Sequence, residues 1–139
     1  YARADAICLH NLAYWRGANW IGIGAGAHSH VDGARWRNES DPAAYAQAVM
    51  ARGDAVAWKE DAPPEVRLFE DLMMGLRLVE GVDLDALGAR VGLDAREIHG
   101  DAIARHRETG LLALDGARLR LTAKGLDLAS YVIRELLPS

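Results

Sequence analysis

Past Pro64 the apolar residues fall at helical spacing. Val66, Phe69, Leu72, Met73, Leu76 and Val79 recur at intervals of three and four, which predicts a helix with one buried stripe, ended by Gly81. Asp83 is placed to cap a second helix carrying Leu84, Leu87 and Val91 and stopped by Gly92. Asp94 opens a third with Ile98, Ala102 and Ile103, closed by Gly110. Asp115-Gly116 between apolar runs predicts a two-residue hairpin turn. With that turn Leu114 faces Ala117 and Leu112 faces Leu119. Leu112, Leu114, Ala117, Leu119 and Leu121 then share a dry face, and Arg118 and Arg120 point to solvent. Thr122 is placed to cap a last helix with the stripe Leu126, Ala129, Ile133 and Leu136, before Pro138. Helix, helix, helix, hairpin and helix is a winged-helix order.

The first sixty residues follow no such period. Asp41 as N-cap with Pro42 at the first helical position predicts one short helix through Ala43 to Met50, ended by Gly53. Trp20 to Ala27 is β-compatible with glycine at every second position from Gly22, which predicts a strand ending in a loop and small residues on one face. The run from His28 to Gly33 reads as turn-like. The composition changes at Asp61-Ala62-Pro63-Pro64, so we draw a boundary between residues 1–61 and 62–139.

At 139 residues, 50% hydrophobic and 26% charged, the chain has the make-up of an ordinary globular domain. No apolar run approaches the roughly 18 residues of a membrane span. The start Tyr1-Ala2-Arg3-Ala4-Asp5 lacks the basic leader and apolar stretch of a secretory signal and reads as a cut in mid-protein. A single cysteine excludes an internal disulfide framework and fits a reducing cytoplasm. The net charge of −4 argues against nucleic acid. A winged helix would offer DNA Arg96, Arg105, Arg107, Arg118 and Arg120, but between residues 83 and 125 acidic and basic residues balance, which is poor for phosphate binding.

The residues with distinctive chemistry crowd into one stretch. The single cysteine, three of the five histidines and two of the four tryptophans lie between Cys8 and His30. In Cys8-Leu-His10-Asn11-Leu-Ala-Tyr14-Trp15, His10 is a candidate axial ligand for haem iron, with Tyr14 or Trp15 stacking on the porphyrin and Cys8 as a candidate thiolate. The same residues also read as a hydrogen-bonding loop histidine and an inert buried cysteine. Gly22-Ile-Gly24-Ala-Gly26-Ala27 has the spacing of a dinucleotide fingerprint but no helix follows at once, which excludes that reading and leaves a close backbone approach. His28-x-His30 has no evident third metal ligand. The acids at positions 60, 61, 65, 70 and 71 read as a solvated helix start.

Cys-x-His-Asn-x-x-Tyr-Trp followed by Gly-Ile-Gly-x-Gly-Ala-His-Ser resembles the C-terminal half of HemW-like haem chaperones, which are related to oxygen-independent coproporphyrinogen III oxidase among the radical S-adenosylmethionine (SAM) proteins. The resemblance takes in Glu70-Asp-Leu-Met-Met-Gly-Leu-Arg-Leu78 and Leu119-Arg-Leu-Thr-Ala-Lys-Gly125. It implies an α+β fold: for 1–61 the terminal strand and loops of a radical SAM, partial TIM-like barrel, and for 62–139 a winged-helix-like domain with a β-hairpin. It further implies haem at the segment holding Cys8, His10, Tyr14 and Trp15, with His10 as the iron ligand. Gly24, Gly26, Ala27 and His28 would lie near SAM or the barrel interior.

Two departures bear on this. The family's 4Fe-4S cluster needs Cys-x-x-x-Cys-x-x-Cys, and one cysteine cannot supply it, so the chain reads as a fragment without catalysis of its own, completed by an N-terminal radical SAM half. Ala25 stands where the family usually has proline, which predicts a looser glycine turn. Haem-accepting proteins are the implied partners and the cytoplasm the implied compartment. Chaperone and oxidase both remain open.

Overall fold

The computed structural model describes residues 8–137, so the start at Tyr1 to Asp5 and the stop at Pro138 lie outside the described residues. Two compact units are present, one of residues 18–62 and one joining residues up to 17 with those from 63 onward. The fold is mixed, helices with two small three-stranded sheets. Among the described residues no helix is long and apolar enough to cross a membrane.

In the 18–62 unit the sheet order is β1 (His28–Val31), β2 (Ala34–Asn38), β3 (Val56–Asp61), all antiparallel, with α2 (Pro42–Arg52) between the last two. The helix is built as its sequence dictates. Asp41 accepts a bond from the Ala44 N–H at 2.8 Å, and Gly53 ends the helix at φ 81°. The strand, however, is not Trp20 to Ala27. Left-handed φ values at Gly24 (108°) and Gly26 (69°) fold that run into a loop, and only Trp20 makes an isolated bridge, to His30. The turn-like reading of His28 to Gly33 is corrected as well. Residues 28–31 are a strand, and the turn is Asp32-Gly33, both at positive φ (50° and 89°), the geometry of a type I′ hairpin.

The other unit runs α1 (Leu9–Trp15), α3 (Pro64–Gly75), β4 (Val82–Asp83), α4 (Leu84–Val91), α5 (Ala95–Glu108), β5 (Leu112–Asp115), β6 (Arg118–Leu121), α6 (Ala123–Asp127) and α7 (Ala129–Arg134), with sheet order β4-β6-β5. A continuous apolar core from Leu68 to Leu136 lies entirely within it. Helix α1, which no period announced, packs against α3.

The caps are where the sequence puts them: Asp83 accepts from Ala86, Asp94 from Arg96 and Thr122 from Gly125. The stripes shift. Helix α3 stops at Gly75 and buries Leu68, Leu72 and Gly75, followed by buried Leu76, while Val79 lies exposed beyond it. On α5, Ile98 is 47% exposed and the buried positions are Ala95, His99, Ala102, Ile103 and His106. The last helix is two short ones, broken at Leu128 (φ −113°, ψ 21°).

Candidate functional site

The histidine motif is helical, not a loop. Leu9 to Trp15 form α1 with Cys8 as N-cap, but no side chain caps it and none of its residues is buried. At about 100° per residue, His10 and Tyr14 stand about 40° apart on the helix surface, and His10 and Trp15 about 140°. The structure accordingly brings His10 and Tyr14 together, their rings edge to face with centroids 4.9 Å apart. Leu9, which is 77% exposed, and Ala13 flank them, so an imidazole stands on an exposed, largely apolar face. Cys8 is exposed and unpaired in any disulfide, which corrects the inert buried reading.

Trp15 turns the other way. It forms part of the wall of a hollow of about 310 Å³ between the end of α1, α3, the connection from Leu76 to Gly81, β4 and α4. Leu78, Val82 and Leu87 supply further apolar wall. The charges there are paired: Arg16 with Glu80 at 3.0 Å, Arg90 with Asp71 at 2.9 Å and Arg118 with Asp83 at 3.5 Å. A backbone N–H bond, and then the Arg16 guanidinium, hold the Glu80 carboxyl below its usual pKa. The four residues assigned to haem therefore do not converge on one point. His10 and Tyr14 form one face, and Trp15 belongs to another.

The glycine loop sits in the 18–62 unit. Its backbone is tied by two side chains that sequence reasoning passed over. Ser29, which is buried, accepts from the Gly22 N–H at 2.9 Å; Asn38, also buried, donates to the Gly24 carbonyl at 3.0 Å and the Gly22 carbonyl at 3.4 Å. Gly26 N–H donates to Glu39 at 2.7 Å and Asn38 N–H to Ala27 at 2.9 Å. The loop around Ala25 is thus bonded on both sides without proline. A Cβ at Gly22 would collide with the His28 carbonyl, whereas one at Gly24 would meet nothing within 4 Å. Gly24 is open above its backbone, Gly26 and Ala27 are partly covered, and the His28 side chain is exposed. The signal for Ser29 and Asn38 lay in Asp32-Gly33, because that hairpin turn sets the strands that carry both residues.

A third cluster was also missed. Buried His106 has Nε2 3.3 Å from Glu135 Oε2, without hydrogen-bond geometry, and its ring meets Tyr131 edge to face at 5.6 Å. The Tyr131 hydroxyl bonds to Glu135, which lowers the pKa of the carboxyl and raises that of the phenol. Among the described residues no group of three or more His, Cys, Asp or Glu is arranged to hold a metal ion.

Residues 62–128 match the family model of the HemN C-terminal domain. The chain is 36% identical over 137 residues to the heme chaperone HemW of Mycobacterium tuberculosis, covering 99% of the chain and 33% of that protein. The chain is HemW-like. It is also 26% identical over 132 residues to heme chaperone HemW of Bacillus subtilis, covering 95% of the chain and 35% of that relative. Against the mitochondrial radical S-adenosyl methionine domain-containing protein 1 of Danio rerio it is 36% identical over 90 residues, 59% of the chain and 20% of the relative. Among solved structures, coproporphyrinogen III oxidase (HemN) from Escherichia coli, a radical SAM enzyme, superposes with a TM-score of 0.61 at 18% identity, over 86% of this chain and 28% of that one. The HemW-like chain thus spans about a third of the length of the curated relatives it matches.

Proposed function

We propose that this HemW-like chain is the C-terminal part of a radical SAM protein that binds haem and passes it on, and that its haem contact is the His10 face of α1. One observation carries the reading: an exposed imidazole, backed by Tyr14, on an apolar helix face of a chain 36% identical to a heme chaperone. Imidazole supplies one nitrogen ligand to iron, and Leu9, Ala13 and Tyr14 supply apolar contact for the macrocycle. Haem here is cargo, and an exposed face with one ligand suits a group that must be released.

In the longer protein we place residues 1–61 as the barrel's end and connecting segment and 62–139 as a winged-helix-like domain. The 18–62 unit supports this, since β3 is exposed along its whole length and Ile23 is 90% exposed, as expected of a piece that needs further chain to cover it. Gly24, Gly26, Ala27 and His28 are the proposed SAM neighbourhood, and the open backbone at Gly24 fits a close ligand. The cluster does not fit these residues, because one cysteine cannot bind it. We assign no catalytic residue to the chain. The remaining N-terminal half and haem-accepting proteins are the proposed partners, in the cytoplasm. Four of the five arginines a winged helix would offer DNA are engaged with acids: Arg96 with Asp85, Arg105 with Glu135, Arg118 with Asp83 and Arg120 with Asp115, which speaks against nucleic acid.

A second reading, oxidation of coproporphyrinogen III, is favoured by the match of residues 62–128 to the HemN C-terminal domain and by the shared fold. Two experiments separate and test these. Haem titrated into the chain should give the visible spectrum of nitrogen-ligated iron, His10→Ala should change its bands and weaken binding, and Cys8→Ser should leave them in place. An unchanged His10→Ala spectrum and affinity refutes the ligand role. Decarboxylation of coproporphyrinogen by the full-length protein would favour the oxidase.

A further inference from the structure

We infer that Trp15 and Arg16 are positioning residues: they dock α1 onto the C-terminal unit and thereby set the pose of the His10–Tyr14 face. The inference rests on the haem reading above and assigns to Trp15 a role other than stacking on the porphyrin.

Helix α1 cannot hold its own shape. It has seven residues, no side-chain cap and no buried residue, whereas isolated helices below about 12 residues are marginal in water even with good formers. Its order must come from what it touches. The contacts are on the side away from His10. Helix α1 packs on α3, Trp15 is 37% exposed and forms part of the wall of the hollow, and Arg16 bridges to Glu80 at 3.0 Å. At Gly17 the chain turns with φ +63° so close to α3 that a Cβ would stand 2.8 Å from Asp71 Oδ1. These contacts fix both the rotation and the exit of the helix.

The other end of the bridge is equally constrained. Glu80 lies on the connection from Leu76 to Gly81, and its two flanking glycines leave no freedom. A Cβ on Gly75 would strike Val82, and Gly81, at φ +68°, lies against the Leu119 carbonyl and Arg120 of β6. Leu119 is fully buried. The pose of His10 is therefore referred, through Arg16 and Glu80, to a hairpin anchored in the core. The motif divides its labour, with His10 and Tyr14 facing the ligand and Trp15 and Arg16 facing the protein.

Haem binding should then respond to Glu80, which lies off α1 altogether. The test is a double-mutant cycle on the 139-residue chain with hemin as the probe, read as dissociation constant and visible spectrum. Arg16→Ala and Glu80→Ala are each expected to weaken binding about two- to fivefold at low salt, as befits an exposed ion pair. The double variant should be no worse than either single, and the charge swap Arg16→Glu with Glu80→Arg should recover affinity. High salt should erase the difference between wild type and variants. Trp15→Ala should weaken binding about tenfold and Trp15→Phe much less, with band positions unchanged because the iron ligand is unchanged. Both charged residues are exposed, so the variants should stay folded and unfold within a few degrees of the wild type. Unaltered affinity in Glu80→Ala, or strictly additive losses, overturns the positioning role while His10 dependence upholds the haem reading; loss of nothing in His10→Ala overturns both.

Discussion

Leu114 pairs with Leu119 across the β5–β6 hairpin. The Asp115-Gly116 signal predicted that Leu112 would hold that place, and the actual loop is Gly116-Ala117 with Asp115 opposite Arg118 as the closing pair. Only Gly116 has positive φ there, 60°, which matches a turn with glycine at its first central position rather than one demanding two. The register therefore slips by two residues. Side chains alternate with period two, so a slip of two leaves every face where it was: Leu112, Leu119 and Leu121 are buried, and Arg120 bridges at the surface to Asp115.

Leu119→Ala should therefore cost about 2 to 4 kcal/mol and Arg120→Ala less than about 0.5 kcal/mol. Urea unfolding of the two variants measures both. Equal losses would contradict the assigned faces.

Helices α4, α5 and α6 were legible because their caps, Asp83, Asp94 and Thr122, stand in the sequence just before them, and Gly92 and Gly110 mark the ends of the first two. Those cues act within a few residues and survive any tertiary context. Burial was less legible. Ile98 and Val79 belong to apolar periods but are exposed, while His99 and His106 take core positions, since hydropathy ranks residues without knowing which face the neighbours cover. The first sixty residues misled for a different reason. Alternating glycines read as a strand when side-chain preference is counted, but glycine has none, and Gly24 and Gly26 at positive φ make a loop. Helix α1 was invisible because nothing in it is buried; it forms against α3, by contacts a local pattern does not record.

Asn38 should control the order of the glycine loop. Asn38→Ala removes two bonds to the Gly22 and Gly24 carbonyls, and a lost buried bond costs about 1 to 3 kcal/mol. The Gly26 and Ala27 amides should then exchange with solvent at least about tenfold faster, a factor that corresponds to about 1.4 kcal/mol. Ile23→Ser should leave both amides as they are, because Ile23 is 90% exposed. Equal protection in wild type and Asn38→Ala would show that Ser29 and the backbone bonds suffice.

Stability should fall on mild acidification because of His99. Burial lowers its pKa below 6.5, so the folded state binds fewer protons than the unfolded chain. Its contribution is complete above about 6.5 and is lost as the pH falls from there toward the folded pKa. Glu80 and Glu135 have depressed carboxyl pKa values, so their contributions disappear only below 4.5, in a separate window. Unfolding midpoints between about pH 7 and pH 5 should decline in wild type, and His99→Gln should flatten that slope. A parallel decline in the variant would assign the effect elsewhere.

Residues 63–139 should fold without the rest. Every member of the apolar core lies between Leu68 and Leu136, and the sheet β4-β6-β5 draws all its strands from the same stretch. Helix α1 adds no buried residue, so its removal uncovers part of one hollow and breaks one exposed ion pair, worth about 1 kcal/mol or less. Residues 18–62 are the opposite case. Their buried positions include Ser29, Asn38, Ala48 and Ala55, with no large apolar side chain among the buried residues, while Ile21, Ile23, Met50 and Trp58 are exposed. A sheet of three short strands with so little apolar burial does not offset its conformational entropy. The expected outcome is a single cooperative thermal transition with dispersed amide signals for 63–139, and neither for 18–62 expressed alone. A molten 63–139 would mean that the core depends on contacts made by the first sixty-two residues.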